Sequence, residues 1–217
     1  MDVYFISGLG ADERIFQYLQ PEGIRLRPVK WITPHATDTL HTYAKRLLSQ
    51  IPDPHPVILG MSMGGMAAAE IAKLIPVRKI ILVSSIKTCR ERPWYFGLLR
   101  IIKVHRWLSY RLLTRMGLWL GDWLFGTGNA AESRLLHEVI RDTDETFFRW
   151  AWEQVIRWDN KTLFPGTVHI HGDRDCVLPL RYVHPDHVIR GGTHFMIVDR
   201  AEELSALIAE LILPEIP

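Results

Sequence analysis

The chain has 217 residues, 47% of them hydrophobic and 23% charged, which suits one α/β domain with an insertion and a full core. Its formal net charge is only +2, so the composition does not indicate a nucleic-acid partner. It has no stretch of about 18 uncharged apolar residues, which argues against a membrane span. The N-terminus lacks the basic leader and apolar run of a signal peptide, so we expect none.

The first 86 residues alternate between short apolar runs and segments with helical periodicity. Apolar runs of this length predict strands that are buried on both faces. One run contains Pro28, which cannot donate a hydrogen bond to a ladder, so we expect it near an edge of the sheet. The predicted strands are residues 3–7, 24–29, 57–61 and 79–84.

Helical segments separate these predicted strands. Asp12 is a candidate N-cap of a short helix that ends before Pro21. Apolar residues at helical spacing predict a second helix over 39–51, and good helix formers follow the strand at 57–61. This alternation is typical of right-handed crossovers and of a parallel sheet covered on both faces.

The pattern changes between residues 87 and 162, where helical segments rich in Trp, Phe and Leu replace the strand signals. The longest predicted helix begins at Pro93 and ends at Gly117, with apolar residues on one side and basic residues on another. We interpret it as a helix whose apolar side covers a pocket, and contact with a membrane surface is the alternative. The basic residues include Arg100, Lys103 and Arg106.

Further helices are predicted over 133–141 and from an Asp142/Glu145 capping pair to Trp158. Strand signals then resume at 167–171 and 187–190, and Asp199 is a candidate start of the last helix. We therefore predict an α/β core of residues 1–86 and 163–217, interrupted by a helical cap insertion of residues 87–162. The insertion needs a surface for its apolar side, and the carboxyl edge of the sheet, where such sheets bind ligands, is available.

The segment Val57–Ala72 contains Gly-x-Ser-x-Gly between a predicted strand and a predicted helix. This is the arrangement of a nucleophile elbow, a tight turn that raises one serine above the edge of the sheet. Ser62 is the candidate nucleophile, and Gly60 and Gly64 avoid side-chain collisions across the turn. The following helix N-terminus favours negative charge near Ser62.

A nucleophilic serine needs a base, and the base needs an acid to orient it. In the elbow arrangement these follow in the order Ser, Asp or Glu, His. His194 follows the strand at 187–190, and both Asp173 and Asp175 follow the strand at 167–171. All of them fall at the carboxyl ends of strands, at the same edge as Ser62. Asp173 could instead cap its turn or pair with Arg174.

These motifs resemble those of the α/β-hydrolase family. The family's Gly-x-x-Asp pattern matches Gly172 and Asp175, and its Gly-Gly-x-His-Phe pattern matches residues 191–195. Residues 5–10 resemble the oxyanion loop, with Ser7 in place of the usual His. The resemblance implies an α/β-hydrolase fold with a reduced sheet of about six parallel strands, because two strands that usually begin the fold are missing here.

The resemblance also implies the role of each residue. Ser62 would be the nucleophile, His194 the base and Asp175 the acid, and the backbone N–H groups of Leu9 and Met63 would form the oxyanion hole. The chain would then be a carboxylesterase-like serine hydrolase that cleaves an ester or related acyl bond of a small, largely apolar substrate through an acyl-enzyme. The alternatives are a C–C hydrolase, a lyase or a cofactor-free haloperoxidase on the same fold, and a binding protein without turnover.

The aromatic residues of the insertion indicate an apolar pocket for the acyl or alcohol group of the substrate. They are Trp119, Trp123, Phe125, Phe148, Trp150 and Trp152. Some of these rings are expected to form the core of the insertion, so no individual contact with the substrate is assigned.

Two further sets of residues bear on other chemistry. Cys89 and Cys176 have no spacing of metal ligands or of a redox motif, so free thiols and a cytoplasmic protein are favoured, with a disulfide between them as the alternative. His169 and His171 alternate along a predicted strand and could suggest a metal pair. We interpret these histidines as structural, because no carboxylate pair lies nearby, and expect no metal or cofactor. No oligomeric state is indicated.

Overall fold

The computed structural model describes residues 1–213, except the side chain of Val104. Within this range six strands form one sheet in the order β2-β1-β3-β4-β5-β6, and every neighbouring pair is parallel. This confirms the predicted reduced parallel sheet. The strands are β1 (Asp2–Ile6), β2 (Arg25–Pro28), β3 (Val57–Met61), β4 (Lys79–Val83), β5 (Thr167–Gly172) and β6 (His187–Ile189).

Helices cover both faces of the sheet. Strands β3 and β4 are buried at every residue, as their uninterrupted apolar sequences predict. Strand β2 is an edge strand, and its Pro28 pairs with Phe5, in agreement with the expectation from its missing donor. The helices are α1 (Leu40–Leu47), α2 (Met63–Ile71), α3 (Trp94–Ile102), α4 (Val104–Trp107), α5 (Tyr110–Phe125), α6 (Ala130–Asp142), α7 (Glu145–Arg157), α8 (Met196–Asp199) and α9 (Ala201–Ile212).

The predicted single helix from Pro93 to Gly117 is wrong. Lys103 follows α3 in the left-handed conformation, with φ of 51°, and the Ser109 side chain caps a new helix by accepting a hydrogen bond from Leu112. Gly117 lies inside α5, where a Cβ would be 3.6 Å from Ile140. It therefore faces α6 at an ordinary contact distance and does not end the helix.

Two predicted helix starts are also displaced. Asp144, not the Asp142/Glu145 pair, caps α7 by accepting a hydrogen bond from the Phe147 amide. Asp199 is the last residue of α8, and α9 begins after Arg200 without a side-chain cap. In both places several polar residues follow one another, and the backbone geometry of the turn decides which of them is the cap.

Helices α3 to α7 lie between β4 and β5 and contact loops that follow strands of the sheet. The Tyr95 hydroxyl donates a hydrogen bond of 2.6 Å to the carbonyl of Val177 after β5. The ring of Phe125 lies 5.4 Å from the ring of His194 after β6. These contacts are at the carboxyl edge of the sheet. The division into a core of 1–86 and 163–217 and an insertion of 87–162 stays a prediction.

Candidate active site

Ser62 occupies a strained turn between β3 and α2. Its φ and ψ are 51° and −118°, a region that non-glycine residues rarely adopt. A Cβ on Gly64 would lie 2.1 Å from the carbonyl oxygen of Ile6, and one on Gly60 would lie 2.5 Å from that of Gly64. Both glycines are therefore required by contact with backbone, as the elbow interpretation expects.

The structure brings Ser62, His194 and Asp175 together from three loops at the carboxyl edge. His194 Nε2 is 3.2 Å from Ser62 Oγ, and His194 Nδ1 is 2.7 Å from Asp175 Oδ2. The side chains of His194 and Asp175 are 2% and 0% exposed. An acceptor at Nδ1 holds the proton there and leaves Nε2 free to accept one from the serine hydroxyl.

The two aspartates that follow β5 have different surroundings. Asp175 Oδ1 accepts hydrogen bonds from the amides of Val177 and Leu178, at 2.8 and 2.7 Å. These bonds fix the carboxylate with Oδ2 towards His194. Asp173 instead accepts a hydrogen bond of 2.7 Å from the Gly191 amide. Asp173 thus joins the two loops, and only Asp175 contacts the imidazole.

The loop after β1 passes close to Ser62. A Cβ on Gly8 would lie 3.3 Å from the Ser62 Cβ and 3.8 Å from its Oγ. Ser7 donates a hydrogen bond of 2.8 Å to the carbonyl of Ala11, and Trp31 donates one of 3.3 Å to the carbonyl of Gly8. Ser7, which replaces the usual His of the oxyanion-loop pattern, therefore stabilises the loop through a hydrogen bond within it. Leu9 follows Gly8 in this loop.

Met63 is the first residue of α2, directly after Ser62. Amides in the first turn of a helix have no acceptor within the helix, so the Met63 N–H is available to a ligand beside Ser62. Ser85, after β4, donates a hydrogen bond of 2.6 Å to the Ser62 carbonyl. This support is absent from the sequence predictions, although the position of Ser85 directly after the neighbouring strand is a signal for it.

His169 and His171 form a hydrogen-bonded pair beside Asp175. His171 Nε2 is 2.7 Å from the Leu178 carbonyl and 3.4 Å from Asp175 Oδ2. Because both oxygens are acceptors, Nε2 carries the proton and Nδ1 accepts from His169 Nε2, at 3.0 Å. His169 Nδ1 is then a buried acceptor without a hydrogen-bond partner in the described part of the chain.

Burial keeps these two histidines neutral. It lowers the pKa of His171, partly against the effect of the Asp175 carboxylate. It lowers the pKa of His169 well below the ordinary value of 6.5, and His171 and Lys87 act in the same direction. Among residues 1–213 no group of three or more His, Cys, Asp or Glu side chains could hold a metal ion.

A cleft of about 210 Å³ opens between the loop after β1 and helices α6 and α7. Gly10, two residues after Gly8, forms part of its wall. Trp31, whose indole N–H donates a hydrogen bond to the Gly8 carbonyl, also lines the cleft. The cleft is small compared with the roughly 300–1,000 Å³ of sites for drug-sized ligands. Its apolar wall is formed mainly by Ala11, Trp31, Ile32, Val139 and Phe147.

The aromatic residues of helices α5 and α7 have mixed locations. Phe125 packs against His194, and Trp150 contacts Tyr43 and Phe147. Trp119 and Trp123 are 80% and 69% exposed. Cys89 and Cys176 are both free thiols.

The model of the alpha/beta hydrolase family matches residues 3–207, so nearly all of the described chain is covered. The chain belongs to the alpha/beta hydrolase family. No curated protein matches the chain.

Solved structures with the same fold come from several bacteria. An esterase from Exiguobacterium antarcticum superimposes with a TM-score of 0.75 at 19% identity, over 97% of this chain and 91% of the esterase. The enol-lactonase of Burkholderia xenovorans LB400 gives 0.73 at 13% identity, over 97% and 90% of the two chains. A bromoperoxidase from Bacillus anthracis gives 0.72 at 16% identity, over 97% and 91%. At such identities the likeness shows the fold alone.

Proposed function

We propose that this protein is a serine hydrolase that cleaves an ester or related acyl bond of a small, largely apolar substrate. The observation that carries the proposal is the series of contacts from Ser62 through His194 to Asp175, at 3.2 and 2.7 Å. A strained serine with this orientation is suited to nucleophilic attack. Membership of the alpha/beta hydrolase family, and the similarity of this fold to that of the esterase from Exiguobacterium antarcticum, support the same reaction class.

In this proposal the Ser62 hydroxyl oxygen attacks the carbonyl carbon while His194 Nε2 takes its proton. Asp175 holds the imidazole through Nδ1–H and stabilises the imidazolium that forms. His194 then gives the proton to the leaving alcohol, and an acyl-enzyme ester remains on Ser62. Water, deprotonated by His194, attacks this ester, and His194 returns the proton to the Ser62 oxygen as the acid is released.

The negative oxygen of each tetrahedral intermediate would be stabilised by the amides of Met63 and Leu9. The free amide at the start of α2 and the approach of the Gly8 loop to Ser62 support this assignment. Donors of this kind are each worth roughly 10²–10³-fold in rate where they have been measured.

The test combines a fluorophosphonate probe with p-nitrophenyl and methyl esters of graded acyl length. We expect a covalent adduct on Ser62 and ester hydrolysis, with Ser62→Ala at least about 10³-fold slower. Ser49→Ala is the matched control, because this exposed serine hydrogen-bonds only within its own helical turn, and it should retain full activity.

Each negative result points to a particular alternative. An adduct on Ser62 without hydrolysis of any ester would redirect the assignment to a C–C hydrolase or lyase on the same elbow. Failure of the probe to label the folded protein would indicate a binding protein without turnover. Labelling at another serine would overturn the roles given to Ser62 and His194.

We also propose a cytoplasmic location, which the free thiols of Cys89 and Cys176 support because such thiols persist in a reducing compartment. In the described part of the chain, no helix combines the length and apolarity needed to span a bilayer. Cell fractionation with a tagged full chain is the direct measurement, and recovery in an extracytoplasmic fraction would contradict the proposal.

A further inference from the structure

Helix α3 exposes large apolar side chains along one side. Trp94, Leu98 and Ile101 follow each other at spacings of four and three residues, which places them on one stripe. All three are exposed, Ile101 to 78%, and we call them the α3 stripe. The opposite side of the helix is buried through Phe96. Packing within the protein therefore explains the apolar character of Phe96, but it does not explain that of the exposed α3 stripe.

Helix α5 repeats the arrangement. Leu112, Met116, Trp119 and Trp123 have spacings of four, three and four residues, and all are exposed; we call them the α5 stripe. The side that packs on α6 is a different one, since a Cβ on Gly121 would lie 3.4 Å from Ile140 and Leu136. Trp107, in the short helix between α3 and α5, is 83% exposed.

These helices are also strongly basic. Residues 94–125 contain five Lys or Arg and one Asp, a net charge of +4 (five minus one), although the whole chain carries only +2. Arg115 lies three residues from Leu112 and four from Trp119, so it borders the α5 stripe. Arg111 is one turn before it, and both are exposed. Apolar stripes flanked by arginine and lysine are the pattern of helices that lie in a lipid interface.

We propose that the exposed side of helices α3 to α5 docks on a membrane surface that contains anionic lipids. Tryptophans of the stripes would enter the boundary between head groups and acyl chains, and the basic side chains would contact lipid phosphates. Helix α5 ends at Phe125, whose ring lies 5.4 Å from that of His194. Docking would therefore bring the lipid surface close to the candidate active site.

The charge argues against a second copy of this chain as the occupant. In a two-fold symmetric dimer the same surface meets itself, so a segment of +4 would face another of +4. Like charges across an interface are destabilising. An anionic lipid surface satisfies both the apolar stripes and the basic side chains.

The experiment is co-sedimentation of the full chain with phosphatidylcholine vesicles, with and without phosphatidylglycerol. We expect binding that requires phosphatidylglycerol and weakens at high salt. Trp119→Ser/Trp123→Ser and Arg111→Glu/Arg115→Glu should each lower the vesicle partition coefficient by about tenfold or more. Because these side chains are exposed, circular dichroism should show unchanged folding. Ser62→Ala should bind like the unmodified protein, so the result does not depend on the proposed reaction.

Matched controls come from exposed residues elsewhere. Lys45→Glu/Lys161→Glu changes the net charge by the same amount as the double arginine variant, and Leu163→Ser removes another exposed apolar side chain. Both should bind as the unmodified protein does. The proposal is overturned if the chain binds neither vesicle, or if the lysine control weakens binding as much as the arginine variant. A dimer that Trp119→Ser/Trp123→Ser dissociates, without vesicle binding, would assign the surface to a second copy.

Discussion

At the scale of single residues, His171 is the side chain that links the candidate triad to the interior of the sheet. Its Nε2–H binds the Leu178 carbonyl and lies 3.4 Å from the Asp175 carboxylate. We expect His171→Phe to lower kcat roughly tenfold with little change in KM, because His171 holds the carbonyl of Leu178, whose amide orients Asp175, and does not touch the substrate. Steady-state kinetics with an ester substrate would measure both constants.

The conservative variant separates positioning from simple loss of packing. His171→Gln keeps an N–H donor and should recover most of kcat, while its thermal midpoint stays as low as that of His171→Phe. Equal kcat for the two variants would show that the imidazole only fills space. In the sequence, His171 is only one of two histidines that alternate along a predicted strand. Its support of the candidate triad could not be predicted, because the sequence does not give its distance from Asp175.

His169 gives a prediction on stability and pH. Its pKa in the folded protein lies well below the ordinary 6.5 because of burial, so the unfolded chain binds the proton more readily. Stability from this group is therefore complete above pH 6.5 and falls as the pH drops below that value. We expect His169→Leu to flatten the dependence of the unfolding free energy on pH by about 1.4 kcal/mol per pH unit below pH 6.

Urea denaturation at several pH values between 7.5 and 5 would measure this slope. Exposed His55, replaced as His55→Leu, is the control and should leave the slope unchanged. Identical slopes for His169→Leu and the unmodified protein would mean that His169 becomes protonated without cost inside the sheet.

At the scale of elements, the turn between β3 and α2 depends on the absence of a side chain at Gly64. A Cβ there would lie 2.1 Å from the Ile6 carbonyl and 2.5 Å from that of Ser7. We expect Gly64→Ala to lower the unfolding free energy by at least about 3 kcal/mol and to remove activity, because α2 must move away from β1. Chemical denaturation would measure the loss of stability.

The control for this substitution lies in α3. A Cβ on Gly97 would meet nothing within 4 Å, so Gly97→Ala should stabilise the protein by up to about 1 kcal/mol through helix propensity. A Gly64→Ala protein as stable as the unmodified one would disprove the close approach of α2 to β1.

Local patterns predicted the elements in which one interaction dominates. Buried strands such as 79–84 need only an apolar run, and the elbow needs only glycine at Gly60 and Gly64. The predictions failed where the geometry of neighbouring segments decides. The left-handed Lys103 divides the expected helix, and nothing in its side chain distinguishes it from a helical lysine. The sequence also left open which aromatic residues of the insertion are exposed, because the exposure of Trp119 and Trp123 depends on which side of α5 meets α6.

The candidate site was predictable for a related reason. In a parallel sheet, residues directly after the strands share one edge, so the positions of Ser62, Asp175 and His194 in the sequence already indicated their proximity. From the residues alone, both Asp173 and Asp175 are candidates for the acid, and only the family's Gly-x-x-Asp spacing favours Asp175. The deciding information is the direction of each carboxylate, which for Asp175 is fixed by the amides of residues 177 and 178.

At the scale of the whole molecule, Glu70 connects helix α2 with segments that are distant in the sequence. Its carboxylate is 6% exposed and accepts hydrogen bonds from Trp158 Nε1, at 2.8 Å, and Lys73 Nζ, at 2.7 Å. His41 Nδ1 in α1 lies 3.0 Å from it. Trp158 follows α7, so the Glu70 side chain connects helix α1, helix α2 and the end of helix α7.

We expect Glu70→Leu to lower the unfolding free energy by about 3 kcal/mol, because it leaves the buried indole N–H of Trp158 unpaired. Trp158→Phe removes that donor and should cost less, about 1–2 kcal/mol. In the double variant the two losses should not add, since the second substitution removes the group that the first left unpaired. Urea denaturation of the four proteins gives the coupling energy. Fully additive losses would mean that Glu70 stabilises α2 through Lys73 and His41 alone, and that the contact with Trp158 contributes no stability.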